Sequence, residues 1–413
     1  MGEPDWASLR AEFPLLDRCL YFNACSLGPL PRAGRKALAS YADAWDREGT
    51  PVWFSTWLPL LARLRARLSQ LLGAPENSVA LAPSVSVALT TLASCLGRDP
   101  GAGQLKVLIG ELDFPTLGHQ WLSRRELEVE WVPSPDGIGI PPEAFAERLG
   151  SGVALIATTH LFYTTGYVQE VKALAEAAHR AGALLLVDGY QAVGCLPVDV
   201  RDLDVDFYVG GCLKWLSGGP GTAFAYVRPE LTQRLEPRGL GWFATRDPFS
   251  FNLQALELAP DARRFETGTW PVASHLAALA ALDLILDRVG VGPICRRLRR
   301  FTGRILERCE AAGLRTFTPR EAERRCGVVT VECPRPEDVE ARLLAEGMVI
   351  DSRPGRLRLS PHWCLTDEEI DRGMDLVVHH VMDAVDRGET RAVPPRTPSE
   401  EHGGTQVPPW TPS

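Results

Sequence analysis

Lysine is almost missing from this chain of 413 residues. Only Lys36, Lys106, Lys172 and Lys214 are lysines among its 44 basic residues; the other 40 are arginines. The ten cysteines, at positions 19, 25, 95, 195, 212, 295, 309, 326, 333 and 364, include no Cys-x-x-Cys pair and no cluster with histidine. That spacing gives no zinc site, and it reads as reduced thiols of a cytoplasmic protein, packed mostly as small hydrophobes. No apolar run approaches the roughly 20 residues that span a bilayer. The segment Met1 to Leu20 carries Asp5, Glu12 and Asp17 and lacks the apolar core of a secretory signal. Excess positive charge is absent too: the net charge of −8 leaves no electrostatic footprint for nucleic acid. The one basic run, Arg296 to Arg300, falls in a helical pattern and reads as a solvated face.

What is present describes a soluble globular protein, with 45% hydrophobic and 23% charged residues. The length suits two domains, or one large domain with an appendage. Short apolar runs alternate with helical stretches from about residue 50 to 275. The strands expected are Val79–Leu81, Val107–Gly110, Val129–Val132, Ala154–Ala157, Leu184–Val187, Asp206–Val209 and Ala223–Val227, and helical patterns fit Val87–Leu96, Pro142–Leu149 and Val171–Ala181. Continuous apolar strands separated by helices predict an α/β fold with a mostly parallel sheet covered on both faces. Sites in such sheets lie outside the carboxyl ends of the strands.

The pattern changes near residue 276. A long helical stretch from His275 to Ala312 precedes a strand at Val328–Val331, a helix from Pro336 to Glu346, strands at Met348–Ile350 and Leu357–Leu359, and a helix from Asp367 to Val385. The expected organisation is an N-terminal segment (1–30), a large domain (31–275), a smaller α+β domain (276–389) and a disordered tail (390–413) rich in Pro, Gly, Ser and Thr.

Several residues at the ends of these strands can carry chemistry. Ser84-Val85-Ser86 ends a strand and opens a helix, where backbone N–H groups and the Ser86 hydroxyl suit an anion such as phosphate; the simpler reading is a serine N-cap. Phe114, after another strand, either stacks on a planar ring or belongs to the core. Asp188 closes the apolar run Leu184 to Val187, and a buried acid there needs a cationic partner or caps the next helix. Gln191 follows within hydrogen-bonding reach. Lys214 comes 26 positions after Asp188 and just before Gly218-Gly219-Pro220-Gly221. Arginine replaces lysine in most surface roles, but its guanidinium cannot form a Schiff base with an aldehyde.

The order Asp188, Lys214, Gly-Gly-Pro-Gly resembles the fold-type I enzymes dependent on pyridoxal 5′-phosphate (PLP), in the class V aminotransferase superfamily that includes cysteine desulfurases and kynureninases. The resemblance spans about Tyr21 to Val385. It implies a large domain with a seven-stranded, mostly parallel sheet and a smaller C-terminal domain. It also implies that Lys214 binds PLP as a Schiff base, that Asp188 pairs with the ring nitrogen, and that Gln191 touches the phenolate oxygen. Smaller matches lean toward the kynureninase-like branch: Ser26-Leu27-Gly28, Phe114-Pro115-Thr116, Thr165-Gly166-Tyr167 and Gly241-Trp242-Phe243. On that pattern Phe114 stacks on the ring, while Ser84, Val85, Ser86 and Trp242 hold the phosphate. Thr269 reaches the phosphate of a neighbouring subunit, which implies a homodimer with shared sites. Arg358 clamps the substrate carboxylate. Tyr163 and Tyr190 either contact substrate or pack.

Three departures point away from kynurenine as substrate: Leu213 where relatives carry His or Tyr, Gln191 where kynureninases carry His, and Leu117 in place of an acid. No cysteine lies between Val349 and Arg358, which points away from persulfide transfer. The implied function is side-chain cleavage of an amino acid, by β-elimination of a C–S bond or by kynureninase-like hydrolysis, through an external aldimine and a carbanion at Cα. Freed Lys214 is the base. The alternatives are an aminotransferase or epimerase using the same lysine and, more remotely, a non-catalytic PLP-fold binding protein.

Overall fold

Seven apolar segments pair into one sheet: β1 (Val79–Ala82), β2 (Leu105–Gly110), β3 (Leu127–Val132), β4 (Val153–Thr159), β5 (Leu184–Asp188), β6 (Phe207–Gly211) and β7 (Ala223–Val227). They are taken from a computed structural model that describes residues 3–96, 105–150 and 152–387. The tail expected to be disordered, 390–413, lies outside the described residues. The strand order is β1-β7-β6-β5-β4-β2-β3, and β7 runs antiparallel to both its neighbours while the other pairs are parallel. This is the α/β architecture expected from the sequence.

Strand periodicity explains how the sheet is covered. Successive side chains point to opposite faces. In β5, Leu185 and Val187 join one core with Leu61, Leu64 and Leu68 of α2 (Leu58–Leu72) and with Leu174, Ala175 and Ala178 of α5 (Val171–Arg180). Leu186 faces the other way, into a second core with Leu89 and Leu92 of α3 (Val85–Ala93) and Leu117 and Trp121 of α4 (Pro115–Leu122). With both faces covered, the central strands read as unbroken apolar runs. The chain leaves β2 for the edge strand β3, then returns to place β4 between β2 and β5. The strand order therefore reverses between β2 and β4, the place where such sheets open a crevice at their carboxyl ends.

The carboxyl-terminal third differs from expectation in three details. The single helical stretch from His275 to Ala312 is two helices, α6 (Val272–Arg288) and α7 (Val291–Ala311), separated at Gly290, whose φ of +82° suits only glycine. The expected strand Met348–Ile350 is the two-residue Met348–Val349. It pairs in parallel with Leu20–Tyr21 rather than with its sequence neighbours. A further strand not anticipated, β9 (Asp351–Arg353), forms an antiparallel sheet of order β9-β10-β8 with β8 (Val329–Glu332) and β10 (Arg356–Leu359). Alternating charged residues hide this strand from a search for apolar runs.

α1 (Arg32–Glu48) packs along α6. Glu266 fixes the turn that enters α6. Its side chain is wholly buried and accepts hydrogen bonds from Arg65 Nε and Nη2 at 2.7 Å each, Leu81 N at 3.0 Å and Trp270 Nε1 at 2.9 Å. One carboxylate thereby joins α2, β1 and the 267–270 turn. Glu266→Ala leaves Arg65 without its partner in a desolvated place, and we expect it to cost about 3–5 kcal/mol. Urea denaturation checks this; a loss below about 1 kcal/mol, the range of an exposed pair, would contradict the assigned role.

Candidate active site

The carboxyl ends of β4, β5 and β6 meet around a cavity lined by Phe114, Thr159, Tyr163, Asp188, Tyr190, Gln191 and Lys214. Asp188 ends β5 on the side of Leu186, so strand alternation alone aims it at the α3–α4 side. It is buried, accepts from Tyr190 N at 2.8 Å, and its pKa is raised by burial, with that hydrogen bond and Lys214 opposing the rise.

Lys214 leaves β6 through a tight turn in which Ser217 N donates to the Lys214 carbonyl at 2.9 Å. Ser217 has a φ of +53°, a conformation uncommon for a residue other than glycine. From the opposite side Gly28 N donates to Leu213 O at 2.9 Å, and a β-carbon on Gly28 would meet the Lys214 carbonyl oxygen. Only glycine lets the N-terminal segment approach this closely. The Lys214 Nζ sits 4.3 Å from the Tyr190 ring centre and 5.8 Å from that of Phe114. Burial lowers its pKa to about 8. Cys25 and Asp188 counter the drop, while Arg358 and Arg353 add to it.

Arg358 is almost inaccessible, at 2% exposure, yet it reaches toward the same cavity. Its Nη1 donates to the Tyr163 carbonyl at 3.0 Å, and its guanidinium carbon lies 5.9 Å from the Tyr163 ring centre. Phe114 meets Tyr163 edge to face at 5.2 Å. Gln191 donates from Nε2 to the Cys25 carbonyl at 3.0 Å and accepts from Trp215 Nε1 at 3.0 Å, which leaves one amide N–H for a ligand. Ser84 is the N-cap of α3 and accepts from Val87 N at 3.2 Å. Ser84 and Ser86 are exposed and Val85 buried. Because β1 runs in the same direction as β6 and β5, this helix start lies at the same edge of the sheet as Asp188.

Ser84, Val85 and Ser86 do not line this cavity, and two further expected cofactor contacts lie in other pockets. Trp242 stands in a surface pocket with Thr245, Phe251 and Leu253, and Thr269 lines an exposed one with Tyr41, Trp45, Trp53 and Trp57. Neither lines the cavity around Lys214 within one chain.

The structure also adds residues that the sequence reading passed over. Asp113 anchors the Phe114 loop, accepting from Thr159 N at 2.7 Å and Gly110 N at 2.9 Å; burial lifts its pKa to about 7. His160 bonds Tyr208 through Nδ1 at 2.9 Å behind the site, and burial lowers its pKa to about 4. Asp113 stood in a motif read for its aromatic alone, and His160 lies beyond the expected strand Ala154–Ala157. Among the described residues, no group of three or more His, Cys, Asp or Glu could hold a metal ion. No helix there is long and apolar enough to cross a membrane.

Comparison with known proteins decides the family. The aminotransferase class-V family model matches residues 58–357. This chain belongs to that family. It is 32% identical over 369 residues to an uncharacterised aminotransferase, YcbU, of Bacillus subtilis (strain 168), covering 89% of this chain and 95% of that protein. It is 30% identical over 366 residues to a kynureninase of Burkholderia mallei (strain SAVP1), covering 85% and 86%. Its fold superposes with a TM-score of 0.82, at 20% identity, on C-DES carrying glycine covalently linked to its PLP cofactor, over 89% of this chain and 98% of that one. Members of the class V family are PLP enzymes, and PLP is the cofactor of this one.

The residues present fit that group. Asp188 is a buried carboxylate whose lysine counter-charge is itself held at a lowered pKa, so a cationic ring nitrogen would complete it. The Thr159 hydroxyl beside the cavity is buried without a hydrogen-bond partner. Phe114, 41% exposed, offers a ring face. A neutral amine is the nucleophile toward an aldehyde, and Lys214 is neutral only above its pKa. We therefore expect the rate at which added PLP becomes reducible by borohydride onto Lys214 to climb between pH 7 and 9, with a midpoint of about 8. A midpoint near 10, that of an ordinary lysine, would contradict the lowered value.

Proposed function

We propose that this PLP enzyme cleaves the side chain of a small amino acid, by C–S β-elimination or by kynureninase-like hydrolysis. The observation that carries the reading is a lysine of lowered pKa and a buried carboxylate lining one cavity, with a buried arginine behind its wall residue Tyr163. PLP supplies an electron-accepting ring that takes up the charge left at Cα.

The chain's own residues do the rest. Asp188 holds a proton on the ring nitrogen. Phe114 covers one ring face. Gln191, through its free amide N–H, and the Thr159 hydroxyl would donate to the phenolate oxygen of the ring. Ser84, Val85 and Ser86 present the start of α3 to the phosphate. Lys214 would hold the cofactor's aldehyde carbon, and its amine when free would take the proton from the substrate Cα, for which a pKa of about 8 is well matched. Arg358 and Tyr163 receive the substrate carboxylate end. The hairpin from Asp351 to Leu359 is too short for a mobile loop and carries no cysteine, which argues against persulfide transfer.

A second reading is kept for one observation: the 32% identity to a protein described as an aminotransferase. The panel that separates the two is kynurenine, cysteine, cystine and cysteine S-conjugates, each with and without a 2-oxo acid. Alanine or pyruvate released without the acceptor is the expected result. Product that requires the acceptor would make the enzyme an aminotransferase. Lys214→Ala should abolish turnover while circular dichroism stays unchanged.

We further propose a cytoplasmic homodimer in which Trp242 and Thr269 serve the partner's phosphate site. Ten unpaired cysteines suit the compartment. Phe251 and Leu253, exposed by 70% and 99%, lie with Trp242 and Phe249 in one apolar surface that water alone would leave costly. Phe251→Glu should convert the protein to monomer by light scattering and weaken PLP binding. A monomeric wild type would remove the proposal.

A further inference from the structure

Arg358 already holds a carboxylate. Its Nε donates to Asp351 Oδ1 at 2.8 Å and its Nη2 contacts Oδ2, a two-pronged pair formed across directly opposed positions of β9 and β10. Nη2 also donates to the Ser26 hydroxyl at 2.7 Å, and that hydroxyl donates onward to Asp351 Oδ2 at 2.7 Å. Nη1 spends one proton on the Tyr163 carbonyl. Arginine has five N–H donors in a fixed fork, so the lateral edge (Nε and Nη2) belongs to Asp351. The terminal edge (Nη1 and Nη2) keeps one free N–H and one bonded only to a serine hydroxyl.

Asp351 cannot readily yield its place. It is paired in register with Arg358 across the hairpin, and Arg353 Nη2 stands 3.3 Å from its Oδ2. Burial alone would raise its pKa, and Arg358, Ser26 and Arg353 hold it below the usual carboxylate range. A buried guanidinium with no counter-charge is costly, so Arg358 depends on this partner to stay where it is. The Ser26 hydroxyl, by contrast, sits on a loop segment and is a neutral group that a carboxylate can replace in a charge-assisted bond.

We propose that Asp351 is a positioning residue that locks the lateral edge of Arg358 and so commits its terminal edge to the substrate. The Ser26 hydroxyl is the placeholder that the substrate carboxylate displaces. The inference rests on the reading of Arg358 as the carboxylate clamp and assigns two residues to it. It selects α-amino acids whose carboxylate can approach end-on over Tyr163.

The test uses the PLP-loaded enzyme and two probes of one shape, L-alanine and L-alaninamide, titrated by the change they cause in the cofactor's visible absorbance. Wild type should prefer alanine. Asp351→Asn should weaken alanine about thirtyfold or more, the loss typical of a buried charge pair deprived of one partner, and leave alaninamide unchanged. Asp351→Glu should restore part of the preference. Ser26→Ala, which leaves the ion pair intact, should tighten alanine a few-fold, with no effect on alaninamide.

Tighter alanine binding by Asp351→Asn would show that Asp351 competes with the substrate, and overturns the proposal. Weaker alanine binding by Ser26→Ala would make the hydroxyl a substrate ligand rather than a placeholder. Equal loss of both probes in Asp351→Asn would mean a general structural defect, and likewise overturns it. A wild type with no preference for alanine would instead strike the assignment of Arg358 itself, while absence of a reducible adduct on Lys214 would strike the broader reading.

Discussion

Everything at this site follows from the placement of ionisable groups at the end of an apolar slab. β5 and β6 are buried on both faces, and water reaches them only where they stop. Asp188 stands at that stop, too enclosed to keep an ordinary carboxyl pKa and too poorly supplied with donors to be satisfied by the protein alone. Lys214 faces the mirror problem, since the enclosure that burdens the acid also drives its amine toward the neutral form. Two groups that disfavour their own charges are poor glue for a fold. They are well suited to receiving a charged ring and a reactive aldehyde, and the protein carries the cost in advance.

The supporting structure spends its strong interactions one step back from the chemistry. Asp113 ties the Phe114 loop to the end of β4, and Gln191 joins the N-terminal segment to Trp215, the neighbour of Lys214. Gly28 allows two backbones to touch where any side chain would hold them apart. Asp113 and Gly28 do not line the cavity, and Gln191 both lines it and braces it. Each fixes the position of a cavity-lining residue, and fixed positions are what a site built from loop ends must obtain from its surroundings.

The sequence was most informative where local chemistry and long-range geometry coincide. The parallel sheet could be read because buried strands are compositionally distinct, and Asp188 and Lys214 because each closes such a strand. Asp351 stayed hidden, since a charged residue in an alternating strand looks like ordinary surface until its opposite number is known. The division of the long helical stretch at Gly290 was likewise invisible to periodicity, because both halves are helical and only the backbone turn at that glycine separates them. Trp242 and Thr269 were recognised by their motif context, and the single chain does not bring them to the Lys214 cavity. Their positions depend on surfaces that a linear reading does not describe.

The joining of Leu20–Tyr21 to Met348–Val349 has a consequence for how the protein is made. Asn23 bonds Ile350 across 327 positions, and Cys25 bonds Ser360 across 335. The sheet, the lysine and the aspartate all emerge from the ribosome before the segment that closes the floor beneath them exists. Contacts of such separation form late and slowly. A nascent chain therefore holds Lys214 through a further 144 residues of synthesis before Arg358 is made. The wall around Lys214 is completed only when the segment from Met348 to Ser360 returns to the N-terminal residues.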